Sequence, residues 1–125
     1  KLGPVERLIV GGKSMGGRYA SMIADTAGVK GLVCLGYPFH PSGKPDKLRV
    51  EHLHSLITPA LFLQGSRDTL GNFDDVSGYQ LSPAITLHWL EDGDHGFKPR
   101  KKSGRTEIQN WNEAIDAFAN FAQGL

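Results

Sequence analysis

The sequence has 125 residues, of which 39% are apolar and 22% charged, with 16 Gly, 7 Pro, a single Cys and a formal charge of +1. That is enough chain for one domain with an ordinary core, and it excludes a disulfide-stapled miniprotein, a disordered tail and a multidomain machine. No apolar run approaches the roughly 20 residues that cross a bilayer, the segment Lys1 to Arg7 lacks the n-region and h-region of a signal peptide, and the near-zero charge gives no reason to expect nucleic acid or an acidic membrane as a partner.

The chain begins at Lys1, without an initiator Met, and runs almost directly into an apolar stretch, so the expectation is a fragment or a processed product. Four short apolar runs follow: Leu8 to Val10, Leu32 to Leu35, Ala60 to Leu63 and Ile85 to Leu90. Their starts lie 24, 28 and 25 residues apart, too far for hairpins and suited to strand, crossover, strand. The runs are continuous rather than alternating, as in strands covered on both faces. The expected fold is therefore α/β, a three-layer sandwich around a mostly parallel sheet.

Between the first two runs, Met15 to Ala27 carries Tyr19, Met22, Ile23 and Ala27 at helical spacing and stops at Gly28, a natural residue after a helix end. The second crossover opens with a Pro/Gly-rich loop, Tyr37 to Pro45, and then offers a modest helix around Leu48 to Ile57. Asn72 to Leu81 is weakly helical. The last segment is the strongest helix: Ile108, Trp111, Ile115, Phe118 and Phe121 form one apolar stripe, Thr106 and Gln109 have capping-box spacing, and Gly124 closes it.

Directly after the first strand stands Gly12-Lys13-Ser14-Met15-Gly16, a G-x-S-x-G motif at a strand-to-helix junction. So tight a turn forces strained dihedrals on the serine, and glycines at 12 and 16 supply the room. The turn lifts the Ser14 hydroxyl above the sheet and leaves the backbone N–H of Met15 at a helix N-terminus, where it can stabilise an oxyanion. The rival reading of Gly12-Lys13-Ser14 as the end of a Walker A loop needs a glycine at position 7, where the chain has Arg7.

A serine hydroxyl is a poor nucleophile at neutral pH without a base, and the base needs an acid to hold its tautomer. After the third run comes Gly65-Ser66-Arg67-Asp68, and after the fourth Asp92-Gly93-Asp94-His95-Gly96-Phe97. Asp68 and His95 thus follow Ser14 in the order Ser, acid, His, each at the carboxyl end of an expected strand, where open α/β sheets place their sites. Asp92 and Asp94 are weaker acid candidates, better suited to capping His95 in its tight loop or to facing water, and Asp74 and Asp75 are understudies to Asp68. Tyr37, Phe39, His40 and Phe97 are the expected substrate-pocket residues.

The remaining polar residues have plainer readings. His88 is a packed or sheet-edge residue, and His52 and His54, at i, i+2 spacing, point to different sides and make a poor metal pair. Cys34 is an inert core thiol in an apolar stretch, which fits a reducing compartment and the cytoplasm. Arg67 is either a carboxylate reader or, preferably, one half of a surface ion pair. The run from Lys98 to Arg105 holds five cations, a solvated loop that can also draw anionic partners.

The phrases GGKSMGGR at 11 to 18, GLVCLGYPFHPSGKPDKLR at 31 to 49, LFLQGSRD at 61 to 68 and LEDGDHGFKPRKKSG at 90 to 104 resemble the α/β-hydrolase superfamily. More closely, they resemble its dienelactone-hydrolase-like branch and the family containing testis-expressed protein thirty and the third subunit of the nonspecific-lethal chromatin complex. The resemblance implies that the four runs are the fifth to eighth strands of such a sheet, so that residues 1–125 are one hydrolase-like domain lacking its N-terminal strands. It implies Ser14, Asp68 and His95 as a triad with no metal or organic cofactor. It also implies that the second oxyanion N–H lies on an earlier loop, and that the first strand needs a missing N-terminal half or self-association to cover it. The expected activity is hydrolysis of a small ester, thioester or lactone-like substrate. The alternative is a catalytically silent scaffold that keeps the fold and uses the basic rim.

Overall fold

The computed structural model describes residues 8–125; the Lys1 to Arg7 segment, with the Arg7 position of the P-loop comparison, lies outside them. Strands β1 (Ile9–Lys13), β2 (Gly31–Leu35), β3 (Ala60–Gly65) and β4 (Ile85–Leu90) form one parallel sheet in the order β1-β2-β3-β4. Helix α1 (Met15–Ala27) links β1 to β2, the short α2 (Phe73–Ser77) lies between β3 and β4, and α3 (Glu107–Gln123) follows β4. No helix among the described residues is long and apolar enough to cross a membrane.

The continuous apolar runs are explained by two covered faces. Leu32, Cys34, Ala60 and Phe62 point to one core with Ala20 and Ala24 of α1, whereas Val33, Leu61 and Leu63 point to a second core with Ala114 of α3. Because successive side chains on a strand alternate, both sets must be apolar. The result is the three-layer α/β sandwich expected from the spacing.

Two local expectations change. The candidate helix around Leu48 to Ile57 is a single 3-10 turn, Glu51–His54. Its end is drawn elsewhere: Ile57 and Thr58 donate their backbone N–H groups to the Asp25 carboxylate of α1, at 3.0 and 2.8 Å, in place of helical carbonyls. Strand β1 runs on through Gly11 and Gly12 to Lys13, where the apolar run alone ends at Val10.

In α3 the capping box forms as expected, with Thr106 and Gln109 each bonded to the other's backbone. Its apolar stripe, however, is only partly packed. Ala114 and Asn110 are the buried positions, and Ile108, Ile115 and Phe118 remain exposed. Ile115 and Phe118 instead flank an open apolar groove of about 500 Å3 that runs beside Ile9, Gly11 and Leu35. Since β1 is the edge strand of the described sheet, no further strand among the described residues closes the groove.

Candidate active site

The turn between β1 and α1 places Ser14 in a conformation most residues avoid, φ 52° and ψ −122°. It is held by a bond from its N–H to the carbonyl of Leu35, at 2.8 Å, and its own carbonyl accepts from Arg18 N–H. Two glycines allow the strand and helix to close on this turn. A Cβ on Gly12 would lie 2.5 to 2.7 Å from backbone atoms of Gly16 and Gly17, and one on Gly17 would lie 2.7 Å from the Gly12 carbonyl oxygen. Around Gly16 there is open space, so the steric demand falls on Gly12 and Gly17 and not, as the motif suggests, on Gly12 and Gly16.

His95 reaches this turn from a loop clasped to the end of β3. Arg67 N–H donates to the Gly93 carbonyl at 2.9 Å, Asp92 N–H donates to Ser66 Oγ at 2.8 Å, and the loop passes so near Gly65 that a Cβ there would sit 2.3 Å from two carbonyl oxygens. Asp94 accepts from the N–H groups of Gly96 and Lys98 and shapes the turn from within, the capping role expected of it. Asp92 is clamped by Arg100, whose side-chain and backbone hydrogen bonds hold its carboxyl well below the usual carboxylate range. Asp92 also pairs with Arg67 at 3.2 Å, so Arg67 is the surface ion-pair partner preferred above.

Three side chains then meet. Ser14 Oγ lies 3.0 Å from His95 Nε2, and His95 Nδ1 lies 2.8 Å from Asp68 Oδ2. Asp68 is fully buried, while a third of the His95 side chain faces solvent. In this geometry the imidazole can accept a proton from the hydroxyl at Nε2 while the carboxylate fixes the proton at Nδ1. Met15, first in α1, has a backbone N–H with no acceptor within the helix.

The hydrogen bond that His95 donates to the Asp68 carboxylate raises the His95 pKa above its ordinary 6.5, outweighing partial desolvation and the nearby charge of Lys13. Titrated by NMR, His95 is therefore expected to hold its proton to higher pH than a free imidazole, and Asp68→Asn to bring the midpoint down. A folded-state pKa above the unfolded one stabilises the fold fully below about pH 6.5, and that contribution fades as pH rises through the folded value. The neutral imidazole that can act as a base is thus the form that stabilises the fold less. An unchanged midpoint in the variant would refute the coupling.

Two supporting residues escape sequence reasoning. Gln64, fully buried at the end of β3, donates to Asp68 Oδ2 at 3.2 Å and to the Gly71 carbonyl at 3.0 Å, and accepts from Tyr37 N–H at 2.8 Å. The available signal was a lone amide after Leu61-Phe62-Leu63, since a buried amide needs partners. Asn110, also fully buried, ties α3 to the carbonyls of Phe97 and Glu91. An amide at a core position of a helix is the corresponding signal.

The expected pocket residues turn inward. Tyr37 and Phe39 are fully buried, and His40 and Phe97 are 3% and 2% exposed. Tyr37 stacks on Phe62 at 5.0 Å between ring centres, and Phe97 packs on Trp111 at 4.8 Å. His40 lies 3.3 Å from Asp75, so that understudy serves His40 instead of His95; Asp74 is exposed. These four therefore build the wall and present no open surface to a ligand in this structure. Aromatic bulk after β2 covers the end of the core at Phe62, which the loop's Pro/Gly composition does not foretell.

Elsewhere, His88 on β4 pairs with Glu113 of α3 at 2.6 Å. His52 turns to Ser21 and His54 to the Gln80 carbonyl, in keeping with their divergent spacing. Cys34 is buried against the Gly17 carbonyl, and burial pushes its thiol pKa up. Within the basic run, Arg100 and Arg105 pair with Asp92 and Glu113, while Lys98, Lys101 and Lys102 are exposed.

A family model described as an alpha/beta hydrolase domain matches residues 2–123. Among solved structures, the chain is similar to the esterase domain of a Rhodothermus marinus protein, with a TM-score of 0.58 and 15% identity over 89% of this chain. The match spans 58% of that chain. At that identity the likeness speaks for the fold.

Proposed function

The chain belongs to the alpha/beta hydrolase family, and from that premise we propose that it is a serine hydrolase cleaving a carboxylic ester, thioester or lactone-like bond through an acyl-enzyme. The observation that carries this reading is the unbroken relay from Ser14 Oγ through His95 to Asp68, at 3.0 and 2.8 Å. The esterase title of the structural neighbour supports the same class of bond.

In this mechanism Ser14 Oγ attacks the substrate carbonyl carbon while its proton passes to His95 Nε2. The carbonyl oxygen becomes an oxyanion, and Met15 N–H, at the positive end of α1, stabilises it. Collapse breaks the bond to the alcohol or thiol, which leaves with the proton from His95, and the acyl group stays on Ser14. Water then attacks the acyl-enzyme with the same imidazole as base, releasing the acid and restoring the hydroxyl. Asp68 holds the Nδ1 proton and stabilises the imidazolium without taking a proton itself. The cycle uses no metal or organic cofactor.

On the four phrases quoted above we place the chain in the dienelactone-hydrolase-like branch, with the testis-expressed protein thirty family, and read residues 1–125 as one domain. The apolar groove beside edge strand β1 supports a further segment or a second copy covering that edge. The single buried thiol fits a cytoplasmic setting.

A fluorophosphonate probe tests the reading. We expect one covalent adduct, mapped to the Ser14 peptide and absent from Ser14→Ala. No adduct on the folded protein, or an adduct that persists in the variant, would favour the second reading, a silent scaffold using the exposed Lys98, Lys101 and Lys102.

A further inference from the structure

Gln64, the last residue but one of β3, is fully buried, and its amide joins three segments. Oε1 accepts from Tyr37 N–H at 2.8 Å, while Nε2 donates toward the Tyr37 carbonyl at 3.2 Å, the Gly71 carbonyl at 3.0 Å and Asp68 Oδ2 at 3.2 Å. The two hydrogens on Nε2 thus face three acceptors, and both are engaged. Turned over, the amide would set its oxygen against those same three oxygens, which fixes the end that carries nitrogen.

Each of these partners bears on His95. Asp68 Oδ2 is the oxygen that receives His95 Nδ1–H, at 2.8 Å, and Oδ1 takes Leu70 N–H at 2.8 Å. Without the amide, Leu70 would be the one donor besides His95 left on this carboxylate among the described residues. Gly71 ends the turn that carries Asp68 and donates its N–H to the Asp68 carbonyl at 3.1 Å. Tyr37 follows Gly36, and Gly36 is the seat of the imidazole: a Cβ there would lie 3.2 Å from both Nδ1 and Cε1 of His95. One amide therefore holds both the turn against the ring and the carboxylate bonded to it.

We infer that Gln64 is a positioning residue for His95: it fixes the Gly36–Tyr37 turn against which the imidazole rests and the Asp68 oxygen that holds Nδ1, and so aims Nε2 at the Ser14 hydroxyl. The inference rests on the serine-hydrolase reading for its reaction but not for the placement of the ring. An amide that served the core alone would change stability when removed, and would leave the titration of His95 and the rate of turnover where they are. A positioning amide moves all three, because a general base works only within hydrogen-bond reach of the proton it takes.

The test is Gln64→Met, which keeps the length of the side chain and removes its donors. In the variant the His95 midpoint, followed by NMR, should fall toward 6.5, in the direction expected of Asp68→Asn but by less. Lys13 and Asp94, the other charges that act on His95, are untouched by the substitution. On a short-chain ester, kcat should fall about a hundredfold with KM within about twofold of its starting value, the signature of a displaced base and not of lost binding. A midpoint and a kcat that stay put, in a variant that only melts lower, overturn the role. So does a midpoint that rises, since Asp68 would then hold the imidazolium harder without the amide. Should the variant fail to fold, the unaltered protein decides: the two Gln64 Nε2 protons should give separate signals that move with the His95 titration, and signals averaged by rotation or indifferent to that titration reject the role. If Ser14 takes no fluorophosphonate label and no ester turns over, the hydrolase reading fails alone, and the His95 midpoint in Gln64→Met still decides the placement of the ring.

Discussion

Replacing His95 by alanine is expected to lower kcat on a short-chain ester by on the order of a millionfold, about 8 kcal/mol of barrier. The size follows from the geometry. With Nε2 only 3.0 Å from Ser14 Oγ, the imidazole is the group within reach of the hydroxyl proton, and without it the serine must attack as a neutral alcohol. Asp68→Asn tests a different contribution. It keeps the shape but lets the amide present an N–H to Nδ1, which favours the wrong tautomer, and a loss of roughly ten-thousandfold is expected. The two losses should not add, because base and orienting acid act as one unit. Steady-state kinetics on both single variants and the double variant check this; a double variant slower than either single by the product of their losses would count against a coupled relay.

Gly12→Ala is expected to destabilise the fold by about 3 kcal/mol and to abolish labelling of Ser14, because the new methyl would overlap backbone rather than a movable side chain. The contacts it meets, at 2.5 to 2.7 Å, are Gly16 and Gly17, where α1 starts against β1. Relief requires the helix to shift away from the strand, which carries the Ser14 hydroxyl out of line with His95. Gly16→Ala should behave in the opposite way. Its Cβ points into open space, and replacing a helical glycine reduces the entropy of the unfolded chain, for a gain of roughly 0.5 to 1 kcal/mol. Urea midpoints with probe labelling measure both effects. Comparable damage from the two substitutions would show that the packing at this turn is not as described.

The candidate site was legible where chemistry coincides with local pattern. Ser14, Asp68 and His95 each follow an apolar run by a few residues, so a parallel sheet puts all three at one edge. Their supports were less legible. Gln64 and Asn110 look like isolated polar residues until partners from distant segments surround them. Tyr37, Phe39, His40 and Phe97 suit a pocket by composition and loop position, yet Tyr37 and Phe39 pack inward against the buried Phe62, and Phe97 against Trp111. The modest helix near Leu48 to Ile57 yields to Asp25, thirty-odd residues earlier, which competes for its backbone donors.

Apolar periodicity, turn chemistry and capping signals act within a dozen residues, and so the sequence by itself determined the strands, α1, α3 and the order of the candidate residues. The meeting of Ser14 with His95 spans 81 positions, and the exposure of Ile115 and Phe118 depends on which strand ends the sheet. Those outcomes belong to the tertiary structure, because they are set by which faces pack and how closely, and a single strand or helix carries no record of its neighbour's distance.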